Sequence, residues 1–369
     1  MKNWPHGGNI REAAEESKIS PNDILDFSAN INPLGLPERL KREIKENLPE
    51  ILHYPDPEYK LLREEIACYH NIDYQKIIVE NGSTPLIYLF VQAFAPGKAL
   101  VLIPAFSEYE RALRTRKSKI RFFPLREKNN FSFELKEFLK HIKGIDIVFL
   151  CNPNNPTGTI FPHEELMKIV KLSERKNILL FLDEAFIDYQ EEESFKKRVG
   201  KNLFILRSFT KFFCIPGLRL GYGIGNERVI QRLNKVRAPW SVNSLAQIAG
   251  ISLLQDEQFI KKSRKFMEKE RPFLFNELTE ISGLKPFPSK TNFILLKVYP
   301  HLLSSPLEGE EGKERGRENP ASRLQKKLLK KKILIRDCSN IRGLDNSFIR
   351  VAVKSRKENQ KLLEAIRLN

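Results

Sequence analysis

The 369-residue chain is 41% hydrophobic and 30% charged, which supplies apolar material for two domains of ordinary size. No apolar run approaches the roughly 18 residues of a membrane span, and the start MKNWPHGGNIREAAEE turns polar and acidic too early for a signal peptide, so a cytoplasmic location is expected. The net charge of +17 is spread over segments such as KRVGKN, KKSRKF and LQKKLLKKK, which read as solvated helix faces; no nucleic-acid or membrane partner is expected. Such a surface also helps gather anionic substrates. Cys68, Cys151, Cys214 and Cys338 form no CxxC pair, so neither a metal site nor a disulfide framework is expected, and they read as small buried hydrophobes.

The elements follow in chain order. Residues 1–37 form an N-terminal arm, expected to join the smaller domain; within it, HGGN carries two glycines that permit close approach of the backbone to a ligand. From 38 to 240, short apolar runs rich in β-branched residues alternate with helical patterns. The strand candidates are Ile77–Val79, Ala99–Ile103, Lys119–Phe123, Asp146–Leu150, Ile178–Asp183, Leu203–Arg207 and Leu220–Ile224. One intervening helix, Pro162–Arg175, places Leu166, Ile169, Val170 and Leu172 on one side. This alternation predicts an α/β large domain whose mostly parallel sheet is sandwiched by helices. From 241 to 369 the order changes to a smaller α+β domain: helices at Ser244–Leu254 and Glu257–Leu278, a strand at Asn292–Val298, a helix at Ser322–Lys331, and strands at Ile333–Arg336 and Phe348–Val353. Its insertion at about 301–321, with SSPLEGEEGKERGRENPA, has too few large apolar residues to offset the entropy of ordering and reads as disordered.

Ligands of such sheets bind at the carboxyl ends of the strands. Asp183 ends the run LLFLD, and Ser208 follows LFILR. Lys211 lies between that strand and the apolar stretch Phe212, Phe213, Cys214, Ile215, a poor place for a solvated ammonium and a good one for a nucleophilic amine. Ser208 and Arg219 suit a phosphate, because a guanidinium binds it bidentately and a hydroxyl adds a neutral donor. Gly82, Ser83 and Thr84, followed by Pro85 and an apolar helical run, read as a helix N-terminus whose open amides hold an anion. Asp183 pairs with a protonated ring nitrogen, and Asn155, in the turn NPNNPTG, donates to a ring oxygen. An amine for a Schiff base, two phosphate-binding groups, a carboxylate and an amide together describe a site for pyridoxal 5'-phosphate (PLP). Gly221, Gly223 and Gly225 are a fragment of a dinucleotide fingerprint but open no helix at the needed spacing, so that reading is set aside.

With these motifs in place, the chain resembles the fold-type I PLP enzymes of the class I/II aminotransferase group over its length apart from the insertion. HGGNIREAA, LDFSANINPLG, YPDPEY, LRSFTKFFCIPGLRLGY, RAPWSVNSLA and ILIRDCSNIRGLDNSFIRVAV resemble the branch that decarboxylates O-phospho-L-threonine to (R)-1-amino-2-propanol O-phosphate for cobalamin biosynthesis. The histidinol-phosphate aminotransferases are the nearest branch outside it, and transamination is the alternative activity. The resemblance implies that Lys211 is the Schiff-base lysine, Asp183 the ring-nitrogen partner and Phe106 the ring that stacks on the cofactor. It implies that Asn155 faces the ring hydroxyl and borders the substrate, and that Ser208, Arg219 and Gly82–Thr84 hold the phosphate. Tyr54 would reach that phosphate from a second subunit, which makes a homodimer. Arg350 would bind the substrate carboxylate, with His6, Gly7, Asn30 and Arg336 around the substrate phosphate and amino acid. One departure is Phe186, where the aminotransferases carry a tyrosine; it favours the decarboxylase reading. A PLP-sensing DNA-binding regulator on this fold would carry an added helix-turn-helix domain, for which no N-terminal extension is expected here.

Overall fold

The computed structural model describes residues 6–303 and 319–368. The chain divides into two compact units, one of residues 34–155 and 159–264, the other of 1–33, 156–158 and 265–369. Residues 1–33 of the arm fall with the C-terminal residues, but 34–37 and the stretch 241–264 fall with the larger unit. The physical reason is packing within that unit: the helix Ser244–Gln255 buries Ala246, Ala249, Leu253 and Leu254, and its Gly250 lies so close to Leu62 and Leu220 that a Cβ there would approach both at 2.7 Å.

Strand β1 (Leu25–Asp26) belongs to the smaller unit. The larger unit then contributes β2 (Ile77–Glu80), β3 (Lys98–Ile103), β4 (Lys119–Pro124), β5 (Ile147–Cys151), β6 (Leu179–Asp183), β7 (Leu203–Ser208) and β8 (Gly221–Ile224). These form one seven-stranded sheet in the order β2-β8-β7-β6-β5-β3-β4. All neighbouring pairs are parallel except those made by β8, which runs antiparallel to both β7 and β2. Central strands are buried on both faces, so β5 and β6 read as continuous apolar runs without alternation. All seven expected strands are present, with no end shifted by more than one residue.

The core between sheet and helices is aromatic. Phe90, on the helix Ser83–Phe94, packs on Phe181 at 5.1 Å and Phe204 at 4.9 Å between ring centroids. Gly223 is there for space: a Cβ would fall 2.1 Å from the Phe204 ring. The three glycines of β8 and its end therefore serve packing. In the helix His163–Arg175, Ser173 takes the buried place expected of Leu172, its hydroxyl donating to the Val170 carbonyl at 2.7 Å. Cys68 corrects another expectation, since it lies on the exposed face of the helix Lys60–His70, whose core side is Leu62, Ile66 and Ala67; the other three cysteines are buried.

On β7 the alternation of side chains sends Arg207 to the face opposite Ser208. Arg207 is fully buried among carboxylates: Glu184 at 3.3 Å, Asp188 at 2.8 Å and Glu191 at 2.5 Å. Lys196 and the His70–Tyr222 pair extend the network through Glu191 and Lys196. Burial works against the Glu191 charge, but Arg207 prevails and pulls its pKa to about 2; for Glu184 burial prevails and pushes it to about 7.

The smaller unit holds β9 (Leu284–Pro286), β10 (Phe293–Val298), β11 (Ile333–Leu334), β12 (Arg336–Asp337) and β13 (Phe348–Ala352). An antiparallel sheet in the order β12-β13-β10-β9 stands beside a parallel pair, β1 with β11. The single strand expected at Ile333–Arg336 is thus two strands with different partners. The expected insertion is narrower at both ends, because Pro300–Leu303 forms a 3-10 turn and a helix runs from Pro320 to Lys330 capped by Asn319; residues 304–318 lie outside the described residues. Among the described residues no helix is long and apolar enough to cross a membrane.

Replacing Arg207 by Ala removes the cation shared by Glu184, Asp188 and Glu191 and leaves Glu191 to Lys196. Loss of one partner from a buried ion network costs about 3–5 kcal/mol, so the unfolding free energy of Arg207→Ala in urea should drop by that amount relative to the parent; a loss under about 1 kcal/mol would contradict the network's role.

Candidate active site

Four loops leave the same edge of the large sheet, because they follow the carboxyl ends of its strands. Gly82–Thr84 follow β2, Phe106 follows β3, Asn152–Asn155 follow β5, and Lys211 follows β7. Asp183 is the last residue of β6. The antiparallel β8 begins at that edge: Gly221 pairs with Glu80 on one side and Ser208 on the other, which brings Arg219 there as well.

Asp183 is buried. Its Oδ2 accepts from the Tyr109 hydroxyl at 2.5 Å and its Oδ1 from the Ala185 amide at 2.9 Å. Burial raises its pKa to about 6, against the pull of Tyr109, Ala185 and the charge of Lys211. Lys211 is half-buried in the short helix Phe209–Phe212, whose other three residues are buried. Ser208 caps that helix, accepting from the Thr210 amide at 3.3 Å, and the two hydroxyls lie 2.8 Å apart.

Arg219 has a left-handed backbone (φ 60°), braced by donation from its Nη1 to the Pro216 carbonyl at 3.0 Å. Its guanidinium lies against Gly82, where a Cβ would come within 2.5 Å of Nη2, and Gly82 itself has a φ of 92°. Gly221 seals the other side, since a Cβ there would fall 2.4 Å from the Ser83 amide nitrogen. Gly82 is the N-cap of the helix Ser83–Phe94 and brings no capping side chain. A guanidinium, helix N-terminal amides and hydroxyls around two obligatory glycines make a cradle for a phosphate.

Phe106 is half-buried and meets Tyr109 edge-on, with centroids 5.9 Å apart. Asn155 is half-buried, its backbone amide donating to the Cys151 sulfur, and Asn154 ties the same turn to the Pro104 carbonyl at 3.0 Å. Phe186 is buried and contributes no hydroxyl. Tyr54 stands apart: it is 84% exposed and tilts against Trp240 at 5.2 Å.

The residues expected around the substrate, Asn155 excepted, lie in the smaller unit. Arg350 on β13 is opposite Arg336 on β12. Arg350 is buried, donates to the Ser28 carbonyl at 3.2 Å and sits 5.1 Å over the Phe293 ring; burial and Arg336 bring its pKa to about 10, against Cys338 and Asp26. Arg336 is half-buried and donates to Asn340 at 2.7 Å. Asn30 is buried and its main-chain carbonyl accepts from Asn292 at 2.9 Å. Gly7 must be glycine, because a Cβ would lie 2.3 Å from the Ser28 carbonyl, and the Gly8 amide donates to the Ser28 hydroxyl at 2.7 Å. His6, Gly7, Ser28 and Arg336 line a cavity of about 290 Å³, with Glu12 and Glu16 on its wall. Two neighbouring guanidiniums, one deeply buried, suit a dianionic small molecule.

The sequence reading missed Tyr109, Thr210, Gly221 and Ser28. Tyr109 was within reach of it, three residues after Phe106 in PAFSEY and in the first turn of the helix Glu108–Thr115.

A family model described as aminotransferase class I and II matches residues 22–366. The chain belongs to this family. Over 99% of its length, and 96% of the relative's, it is 37% identical to a threonine-phosphate decarboxylase of Salmonella typhimurium. It superposes with a TM-score of 0.79 on an L-threonine-O-3-phosphate decarboxylase from Porphyromonas gingivalis at 30% identity, covering 94% of this chain and 99% of that one. A histidinol-phosphate aminotransferase from Clostridium acetobutylicum gives 0.83 at 32% identity, covering 93% and 98%. PLP is the cofactor of this aminotransferase family, and the larger unit fits it: the space kept by Gly82 and Gly221 suits the phosphate, Lys211 offers the amine, and Asp183 is a buried carboxyl that a ring N–H would partner.

Asp183 makes the cofactor-free protein pH-sensitive. Its folded pKa lies above the unfolded value near 4, so the folded state binds the extra proton and stability falls as pH rises from about 4 through 6. A rise of that size corresponds to about 3 kcal/mol. Apo Asp183→Asn, measured by urea unfolding, should match the parent near pH 4 and exceed it by roughly that amount at pH 7; parallel pH profiles would refute it.

Proposed function

We propose that this enzyme decarboxylates O-phospho-L-threonine to (R)-1-amino-2-propanol O-phosphate. The observation that carries the reading is the arginine pair Arg336 and Arg350 beside the His6–Gly7 cavity, in a chain 37% identical over nearly its whole length to a threonine-phosphate decarboxylase. The substrate has two anionic groups, a carboxylate and a phosphate, and the smaller unit offers two guanidiniums. The sequence motifs resemble the branch serving cobalamin biosynthesis, which supports that role for the product.

Bound PLP supplies an electron sink for the pair left at the substrate α-carbon when one of its bonds breaks. Lys211 carries the cofactor through its amine, and Asp183 keeps a proton at the ring nitrogen. Arg219, Ser208 and the amides of Ser83 and Thr84 hold the cofactor phosphate, Phe106 covers the ring, and Asn155 donates to its hydroxyl. Arg350 grips the substrate carboxylate, while Arg336, Asn30, His6 and Gly7 fix the phosphorylated side chain. Which bond breaks follows from how the substrate is rotated, and gripping both anionic ends sets that rotation.

A histidinol-phosphate aminotransferase activity is the second reading, favoured by the TM-score of 0.83 with such an enzyme. Incubation of the holoenzyme with O-phospho-L-threonine and no 2-oxo acid separates the two. CO2 release supports the decarboxylase, and turnover confined to histidinol phosphate with 2-oxoglutarate overturns it.

The reading includes a homodimer in which Tyr54 of each chain reaches the other chain's cofactor phosphate. Tyr54 rests on the exposed Trp240 and shortly follows the exposed Ile51 and Leu52 in the chain, apolar side chains that a monomer would leave in water. Sedimentation equilibrium should give twice the chain mass for the parent and the single mass for Leu52→Glu; a monomeric, fully active parent would reject the shared site.

A further inference from the structure

Tyr109 lies outside every role assigned above, yet it touches the carboxylate on which the cofactor depends. It sits in the helix Glu108–Thr115, fully buried, its ring stacked on Phe149 at 5.4 Å. Phe149 rests in turn on Phe181 at 4.8 Å, so the phenol stands on the aromatic core. From there its hydroxyl reaches Asp183 Oδ2 at 2.5 Å. Asp183 Oδ1 takes the Ala185 amide. The other titratable groups facing this carboxylate are Cys151, paired with it across β5 and β6, and Lys211.

Burial, reinforced by the charge of Asp183, pushes the Tyr109 phenol well above its ordinary range. The phenol therefore keeps its proton and acts as a donor. A carboxylate that accepts from a phenol and an amide is a weaker base than one left bare, and the effect grows where water is excluded.

We propose that Tyr109 is a positioning residue that keeps the proton shared by Asp183 and the cofactor ring nitrogen on the nitrogen. This rests on the reading that Asp183 faces that nitrogen. Without the phenol, the proton leaves the ring nitrogen for Asp183 Oδ2, giving a neutral pyridine and a carboxylic acid. The positive charge that makes the ring withdraw electrons is then lost. With Phe186 bringing no hydroxyl near Asp183 in sequence, Tyr109 is the phenol that this chain applies to the carboxyl.

The test uses holoenzyme reconstituted with PLP carrying ¹⁵N in its ring. In the parent the ring nitrogen should give the protonated signal. In Tyr109→Phe the signal should move toward the unprotonated position, because one charge-assisted hydrogen bond shifts such a balance about ten-fold or more. Turnover should fall by a comparable factor, about ten-fold, with KM changed less than about three-fold. Tyr109→4-aminophenylalanine, of the same shape but a weaker donor, should give an intermediate signal, and it carries the test if the phenylalanine variant does not fold. An unchanged ¹⁵N signal in both variants overturns the role of Tyr109 and leaves the cofactor reading standing. A parent whose own ring nitrogen is unprotonated overturns both.

Discussion

Asp183 is a carboxylate removed from water at the end of a central strand, and much of the larger unit is arranged around that fact. An unpartnered buried charge costs several kcal/mol, so the fold must surround it with donors or let it hold a proton. Tyr109 and Ala185 supply two donors, and burial still raises the pKa to about 6. A carboxyl in that balance suits a cationic ring N–H. The aromatic core behind it then has a second task beyond stability: Phe149 and Phe181 fix the ring whose hydroxyl reaches the acid.

The same constraint of burial shapes the neighbouring strand. Side chains alternate along β7, so Ser208 faces the cradle while Arg207 enters the opposite layer and gathers Glu184, Asp188 and Glu191. Glu184 directly follows Asp183, so two consecutive acids of the motif FLDEA go to opposite fates. One accepts from Tyr109 and Ala185 at the edge of the sheet where the loops gather. The other anchors an arginine that tightens the end of the adjacent strand. Lys211 is flanked by the buried Phe209, Thr210 and Phe212 of its short helix.

Glycine plays a comparable part where backbone must approach backbone. Gly82 and Gly221 leave the space in which Arg219 and the helix amides converge, and neither position accepts even a methyl group without displacement. Gly7 does the same against Ser28 in the smaller unit. The shape of the candidate site in each unit thus depends on what is missing from the side chains as much as on the arginines present.

The sequence alone determined the strands of the large sheet and the identity of the chemistry. Apolar, β-branched runs and helical spacing are local signals that reveal the strands: Asp183 and Ser208 end two of them, Asn155 and Lys211 follow, and Arg219 precedes β8. What local pattern does not carry is which strand end lies beside which. Tyr109 and Asp183 are 74 residues apart, and only the strand order β6-β5-β3 brings the helix after β3 over the end of β6. The buried setting of Arg207, the closeness of Gly221 to Ser83, the division of Ile333–Arg336 between two sheets and the exposure of Cys68 were likewise decided by tertiary packing. Each depends on the partner that long-range topology delivers, and a single segment's composition holds no record of its partner.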